Sequence, residues 1–363
     1  MGREPHDPYR RYRRYRRTTR FASLDGLRAL SILPVIWHHS TPRPLDGILG
    51  RGPFGVDLFF AISGFLITTL LVREREERGA LSLTNFYVRR ALRIFPLYYA
   101  VLALYALRGW ILLPDSAMRD HFLRSLPFYA TYTSNWFVDF GAPHPIVFGF
   151  SWSLATEEQF YLVWPWIIAK SRDFRFPVGF MLAALALDFV TEHGLLSSLA
   201  EPTGLAHRML ASIATPICLG ALVAYALHVR KSFAVAETVL AQRWIAPVLL
   251  AALATLLAVD ATPLFAIHLV MAMLVGAVCI RPDHGLTRLL NLPPLRLVGA
   301  VSYGMYLLHV SAITGAKWAL PNAWCTAPVV FFTATCATFV AAWASYRFFE
   351  TPFLALKNRF RSS

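Results

Sequence analysis

The sequence predicts an all-α polytopic integral membrane protein, with about ten transmembrane helices and both termini in the cytoplasm. Three observations carry that expectation: the composition, the number of apolar segments of spanning length, and the side on which the basic residues fall. Of 363 residues, 56% are apolar and 15% are charged, and the mean hydropathy is +0.48. A soluble domain carries about 25% charged residues, so the water-facing surface of a chain this long cannot be built from so few. Disorder, collagen and a disulfide-stapled secreted fold fall to the same arithmetic, with four Cys, 20 Gly and no short repeat.

A helix needs about 20 apolar residues to cross the hydrocarbon core. Suitable segments start near Leu27, Phe54, Ile94, Gln159, Phe176, Arg208, Trp244, Leu264, Leu297 and Ala327, and Pro42 and Pro44 close the first one early. With the N-terminus in the cytoplasm, strict alternation makes residues 1–28, 73–93, 170–175, 230–243, 281–296 and 347–361 cytoplasmic. Those segments hold 28 of the 35 Lys and Arg, the bias that orients membrane proteins. Residues 114–153, which include Tyr129, Tyr132, Trp136, Phe137 and Pro143, are too long for a simple turn and too polar to span. They read as an extracytoplasmic loop with room for an aromatic interfacial helix.

The net charge of +14 is concentrated at the start, where eight of the first twenty residues are Arg, interrupted by Tyr12 and Tyr15. A basic, aromatic tail suits nucleic acid or anionic membrane lipids. Directly ahead of apolar segments, the lipid reading is favoured and no nucleic-acid partner is expected. Pro34 interrupts the first apolar segment and no small-residue cleavage site follows, so no secretory signal is expected. Cys218, Cys279, Cys325 and Cys336 lie scattered in apolar sequence without a CxxC and read as small buried hydrophobes. No metal site is expected.

Ionisable side chains inside a membrane are costly, which makes each one a functional candidate. Arg28 and His39 in the first span are eleven residues apart. That is about three helical turns, or about 16 Å along one face. Arg28 then sits near the cytoplasmic interface, either snorkelling or holding an anion, while His39 lies at mid-depth or beyond. His39 is either a neutral imidazole bonded to a neighbouring helix or a base suited to taking a proton near neutral pH. Asp57, near the outer end of the second span, either orients a His or caps its own helix; Ser63 and Gly64 allow close helix packing.

Arg90 and Arg93 precede the third span at i, i+3. They are either ordinary positive-inside charges or a pair able to grip phosphate by bidentate hydrogen bonds. Glu157 and Glu158 open the fourth span, where the helix dipole favours them; the alternative sends one carboxylate into a central cavity to meet a His or Arg. In the ninth span Ser302, Tyr306 and His309 form a polar stripe at i, i+4 and i+7, a regularity that more often faces a cavity than lipid.

Seven segments in order resemble the membrane acyltransferase family 3. They are Leu24-Asp25-Gly26-Leu27-Arg28-Ala29-Leu30; the Arg28 to His39 spacing; Gly55-Val56-Asp57-Leu58-Phe59-Phe60 with Ser63-Gly64-Phe65; Arg90-x-x-Arg93; Trp152-Ser153-Leu154 leading into Glu157-Glu158-Gln159-Phe160-Tyr161; Ser302-Tyr303 with Tyr306 and His309; and Tyr346 to Pro352. The resemblance covers Phe21 to Leu354. It implies a basic cytoplasmic tail over 1–20, an acyltransferase transmembrane domain over 21–354 and a second cytoplasmic tail over 355–363. Because the chain ends shortly after the tenth span, the soluble esterase-like domain attached to some members is not expected.

The resemblance further implies a bacterial inner-membrane O-acyltransferase with no permanently bound cofactor. Acyl-CoA, with acetyl-CoA as the first expectation, would enter from the cytoplasm as donor. The acceptor would be a hydroxyl of an extracytoplasmic carbohydrate or glycolipid, such as lipopolysaccharide or exopolysaccharide. His39 would be the central catalytic residue, as general base or transient acyl carrier, with Asp57 or Glu158 fixing its tautomer. Arg28, Arg90 and Arg93 would be tied to donor binding, and Trp152, Ser302, Tyr306 and His309 would line the substrate cavity. Other acceptors consistent with the same motifs are a small antibiotic or a lipid-linked molecule. A secondary transporter is a weaker rival, since no matching halves with interrupted helices are visible. A non-catalytic glycan-binding factor is disfavoured by intact Arg28 and His39.

Overall fold

A computed structural model describes residues 10–41, 46–112, 116–141, 146–195 and 204–360. Pro42, Pro44 and Pro143, residues 1–9 of the basic tail and residues 361–363 lie outside them. Among the described residues the chain is all-helical. In order, it forms α1 (Arg10–Arg17), α2 (Ser23–Ser40), α3 (Phe54–Arg78), α4 (Leu83–Leu112), α5 (Ala117–Ala130) and α6 (Ser134–Phe137). Then follow α7 (Ser151–Lys170), α8 (Arg175–Glu192), α9 (Leu205–Leu210), α10 (Thr215–His228), α11 (Arg230–Leu240) and α12 (Ile245–Ala258). The remainder is α13 (Leu264–Ile280), α14 (Thr287–Leu290), α15 (Pro293–Ala300), α16 (Ser302–Ala319), α17 (Ala327–Ala344) and α18 (Thr351–Lys357).

A helix stands at each of the ten positions where the sequence predicts a span. By length and composition alone, four helical stretches among the described residues are long and apolar enough to cross a membrane: Phe54–Arg78, Leu83–Ile111, Leu205–His228 and Ala327–Lys357. Two bent helix pairs, Arg230–Leu240 with Ile245–Ala258 and Pro293–Ala300 with Ser302–Ala319, would raise the number to six. The other expected spans carry the polar groups of interest, as α2 does with Asp25, Arg28, His38 and His39, or are short, as α13 is with 17 residues.

The chain divides into two compact units. The first comprises Met1–Leu70, Pro216–Ser302 and Ile313–Thr335. Its core is mainly aliphatic, with Leu27, Leu227, Leu274, Val275 and Leu290 almost fully buried together with Phe65. Close helix approach there depends on small residues: a Cβ on Gly64 would lie 2.1 Å from the Ile217 carbonyl oxygen, which is how the Ser63-Gly64 step lets α3 meet α10. The N-terminal helix is docked and does not hang as a loose tail. Tyr15 is only 2% exposed and lies against Phe21 and Phe233, while the Tyr12 hydroxyl donates to the His228 carbonyl at 2.8 Å. Spacing explains it: Tyr12 and Tyr15 share a helix face, leaving Arg10, Arg13, Arg14 and Arg17 exposed on the opposite one.

The second unit comprises Leu71–Thr215, Tyr303–Ala312 and Cys336–Ser363. Its interior is aromatic, with Tyr98 stacked on Tyr132 at 4.3 Å and Phe148 packed edge-on to Tyr105 and Tyr129. Tyr132 has φ of 54°, a left-handed conformation that turns the chain between α5 and α6. The loop expected over 114–153 therefore contains two helices. Leu104, Leu107, Trp110 and Ile111 of α4 are exposed, an apolar surface of the kind that membrane contact explains. Cys218 and Cys279 are buried as expected, but Cys325 and Cys336 are exposed, because they fall on outward-facing positions of apolar sequence.

Candidate active site

In the first unit, α2 presents its functional groups at its two ends. Asp25 lies in the first turn and accepts from two guanidinium groups, Arg28 at 2.9 Å and Arg20 at 2.9 Å. Two cations on one carboxylate leave a net positive charge at this end. The Arg28 side chain is 19% exposed while that of Arg20 is 68% exposed, so Arg28 is the better shielded of the two. The backbone here is pinned from outside: a Cβ on Gly299 would stand 1.8 Å from the Asp25 carbonyl oxygen, so α15 lies directly against the first turn of α2. Beside it, the buried Ser23 hydroxyl meets His284 Nε2 at 2.9 Å.

Three turns on, His39 lies in the last turn of α2 and is exposed, not enclosed at depth. Its Nδ1 is 2.9 Å from the Val35 carbonyl oxygen. A carbonyl only accepts, so Nδ1 carries the proton and Nε2 carries the lone pair. That is the tautomer a general base or acyl-accepting nucleophile requires, and it is set by the helix's own backbone. The carboxylate expected to fix it is not needed for that task. His38 stands edge-on at 5.2 Å from the His39 ring, on a different face.

Asp57, in the first turn of α3, faces His268 of α13, with Nε2 to Oδ2 of 3.5 Å. The pair is partly exposed, at 13% and 23% for the two side chains. Sequence reasoning passed over His268, although it is an ionisable residue in an apolar helix and falls under the same rule that selected His39. It also passed over His284.

In the second unit, Arg90 and Arg93 have different surroundings. The Arg90 guanidinium lies 3.7 Å from the centroid of the Tyr161 ring, a close cation–π contact, within electrostatic reach of Glu157 and Glu158. Tyr161 donates to Glu157. Arg93 is exposed and feels Glu350, which accepts from Ser345. Neighbouring Arg89 is tied down, donating to Glu74 at 2.7 Å and to the Phe360 carbonyl at 2.9 Å.

Glu157 and Glu158 do not open α7. The helix begins at Ser151 with no acidic residue in its first turn, so the helix-dipole account gives way to the contact with Arg90. Trp152 is exposed at the start of α7, whereas Tyr306 and His309 are buried. The Tyr306 hydroxyl is 2.5 Å from the Ser153 hydroxyl and donates to the Phe150 carbonyl at 3.0 Å. His309 Nδ1 donates to the Tyr306 carbonyl at 2.6 Å, and its ring packs on Phe150. Ser302 is buried too, donating to the Gly299 carbonyl at 2.9 Å. All three members of the stripe are buried. Among the described residues no group of three His, Cys, Asp or Glu is gathered that could hold a metal ion.

Comparison with known proteins bears on these groups. A family model described as an acyltransferase domain matches residues 21–347. The peptidoglycan O-acetyltransferase of Listeria monocytogenes is 30% identical over 360 residues, covering 91% of this chain and 55% of the relative. A putative peptidoglycan O-acetyltransferase of Bacillus subtilis is 30% identical over 318 residues, covering 80% of this chain and 48% of the relative. A putative O-acetyltransferase of Staphylococcus aureus is 28% identical, covering 91% of this chain and 56% of the relative. The chain thus spans about half the length of the curated relatives it matches. No solved structure matches it. The family match covers Arg28, His39, Asp57, Arg90, Arg93 and Glu158 alike, and the chain belongs to the membrane acyltransferase family 3.

Proposed function

We propose that this chain is a multi-pass membrane O-acyltransferase that moves an acetyl group from cytoplasmic acetyl-CoA to a hydroxyl of an extracytoplasmic cell-envelope carbohydrate. The observation that carries the reading is the tautomer of His39, three helical turns beyond Arg28, set by the Val35 carbonyl. The relatives named as peptidoglycan O-acetyltransferases support a cell-wall saccharide as acceptor in preference to lipopolysaccharide or exopolysaccharide. Ten spans with both termini in the cytoplasm would put donor and acceptor on opposite sides, which is why such a transfer needs a membrane protein.

In the proposed reaction, His39 Nε2 takes the proton of the acceptor hydroxyl as its oxygen attacks the thioester carbonyl. The C–S bond breaks, and the departing thiolate of coenzyme A takes up the proton. In the covalent variant, Nε2 attacks the thioester carbonyl first and the C–S bond breaks to release the thiolate; the acceptor oxygen then takes the acyl group, breaking its bond to Nε2, and the hydroxyl proton passes to the thiolate. Arg28, already drawn to one carboxylate but sharing it with Arg20, retains positive charge for the donor's phosphates, and Arg93 is an exposed guanidinium suited to the same chemistry. Arg90, held over Tyr161, fits a positioning role.

Purified full-length protein incubated with labelled acetyl-CoA and soluble peptidoglycan fragments tests the reading. Acetyl transfer with release of free thiol, lost in His39→Ala that inserts normally, is the expected result. Solute movement without donor consumption would establish a transporter instead.

A further inference from the structure

We propose that α5 and α6 build a saccharide-binding site that receives the acceptor, an inference that rests on the function proposed above and names where its carbohydrate is held. In the second unit these helices line an open cleft of about 470 Å³, bordered by Asp120, His121, Arg124 and Phe128 from α5 and by Phe137 and Asp139 from α6 and its end. Ligand pockets are commonly about 300–1,000 Å³. The four α5 residues recur at i, i+1, i+4 and i+8, one face of a helix.

The chemistry is that of a hydroxyl-rich ring. Phe128 and Phe137 stack at 5.1 Å with an interplanar angle of 25°, and Phe137 is 44% exposed. They present a flat apolar surface of the sort on which the C–H face of a sugar lies. Around it, two carboxylates accept from hydroxyls while a guanidinium donates, so a ring bearing both roles on each hydroxyl is satisfied on all sides. Two carboxylates, Asp120 and Asp139, stand against the one guanidinium of Arg124. That disfavours the phosphates of coenzyme A and favours an uncharged ligand, so this is not a second donor site.

Position agrees. In the chain, the lining residues fall between the end of α4 at Leu112 and the start of α7 at Ser151. At the opposite end of α7, Arg75 donates to the Ile168 carbonyl at 2.7 Å and to the Ser171 carbonyl at 3.0 Å, close to Lys170. With that basic end cytoplasmic, the connection between α4 and α7 that carries these residues is expected outside, on the side of the acceptor.

The test is direct binding of chitotetraose and maltotetraose to the detergent-solubilised full-length chain by titration calorimetry, without donor. Wild type should bind at least one of the two, and Phe137→Ala, Asp120→Asn and Arg124→Gln should each weaken binding tenfold or more. Asp139→Asn is a second exposed variant that keeps the result readable should Phe137→Ala fold poorly. Asp173→Asn, exposed beyond the opposite end of α7, should bind as wild type does. Absence of binding to both saccharides, or equal binding by wild type and all four cavity variants, overturns the site. Transfer with an unchanged KM in the cavity variants would remove the site while sparing the function. Saccharide binding that depends on these residues, with no transfer from any acyl-CoA, would remove the function while sparing the site.

Discussion

His39 Nδ1 donates to the carbonyl oxygen of Val35 at 2.9 Å, one turn back on the same helix. The relationship makes α2 self-sufficient: one helix supplies the imidazole, chooses its tautomer and aims Nε2 away from its own backbone. In many acid–base sites a carboxylate does that work; here a carboxylate would have to act in some other way.

The first prediction follows from that division of labour. His39→Ala should lower acyl transfer by about 10²–10⁴-fold, the usual worth of a positioned proton acceptor, with the donor KM changed far less. Steady-state kinetics over a range of acetyl-CoA concentrations checks it. Transfer within about threefold of wild type would take His39 out of the reaction.

Asp57 and His268 should act as one unit, since Oδ2 of Asp57 stands 3.5 Å from Nε2 of His268. Asp57→Asn and His268→Gln should therefore give similar defects, and the double variant should be no worse than either single one. Groups that share a partner are non-additive, with coupling of about 0.5–3 kcal/mol. Strict additivity in a double-mutant cycle on transfer rate would show that Asp57 works through some other group.

The helical period made Arg28 and His39 legible as a pair, because positions eleven apart on one helix share a face whatever surrounds them. The ten helix positions were legible for a similar reason, since apolar runs bounded by polar segments leave little choice. The first turn of α7 was not: Phe150 precedes the helix in a helical conformation with no side-chain cap, so no capping signal marks Ser151, and Glu157 and Glu158 were placed too near the start. His268 pairs with a residue more than two hundred positions away, which no local pattern announces. The docking of α1 was hidden by its charge. Its arginines suggested a tail lying on anionic lipid headgroups, while the burial of Tyr15 depends on Phe233, far along the chain. The partners of Tyr306 were not legible either, because the Ser153 hydroxyl and the Phe150 carbonyl that it meets lie more than 150 positions away in the chain.

Arg28 and Arg20 separate the shielded from the exposed guanidinium. Arg28→Ala should raise the KM for acetyl-CoA tenfold or more. Arg20→Ala should change it less than about fivefold, since an exposed ion pair contributes at most about 1 kcal/mol and its side chain is 68% exposed. The wild-type KM should also rise with ionic strength. Equal effects of the two substitutions would mean that Asp25, and not the donor, is what Arg28 serves.

Gly299 has no room for a side chain. A Cβ there would stand 1.8 Å from the Asp25 carbonyl oxygen, a backbone atom that cannot rotate away. Gly299→Ala should push α15 off the start of α2 at a cost of about 1–3 kcal/mol, the range for overpacking. The expected readout is a lower thermal midpoint in detergent together with a raised acetyl-CoA KM, because Arg28 rides on the displaced turn. A midpoint equal to wild type would mean that the helices tolerate separation there.

His284 sets a pH dependence at the base of the first unit, in the segment between α13 and α14. Burial is the main force holding its imidazole down to about 4, against an ordinary value of 6.5; Asp283 opposes that shift and Arg281 adds to it. Its Nε2 is held by Ser23, and the folded chain keeps the ring neutral. The sign follows from proton counting. Between pH 6.5 and about 4 the unfolded chain binds a proton that the folded chain does not, so stability is complete above 6.5 and declines as pH falls through that window. His284→Asn keeps a hydrogen-bonding side chain opposite Ser23 and cannot titrate, so its thermal midpoint should fall less steeply than that of wild type between pH 7 and pH 4.5. Parallel curves would show that the ring is not kept neutral in the folded chain. Because Ser23 opens the helix that carries Asp25 and Arg28, loss of this contact at low pH should also raise the acetyl-CoA KM of wild type before the chain unfolds.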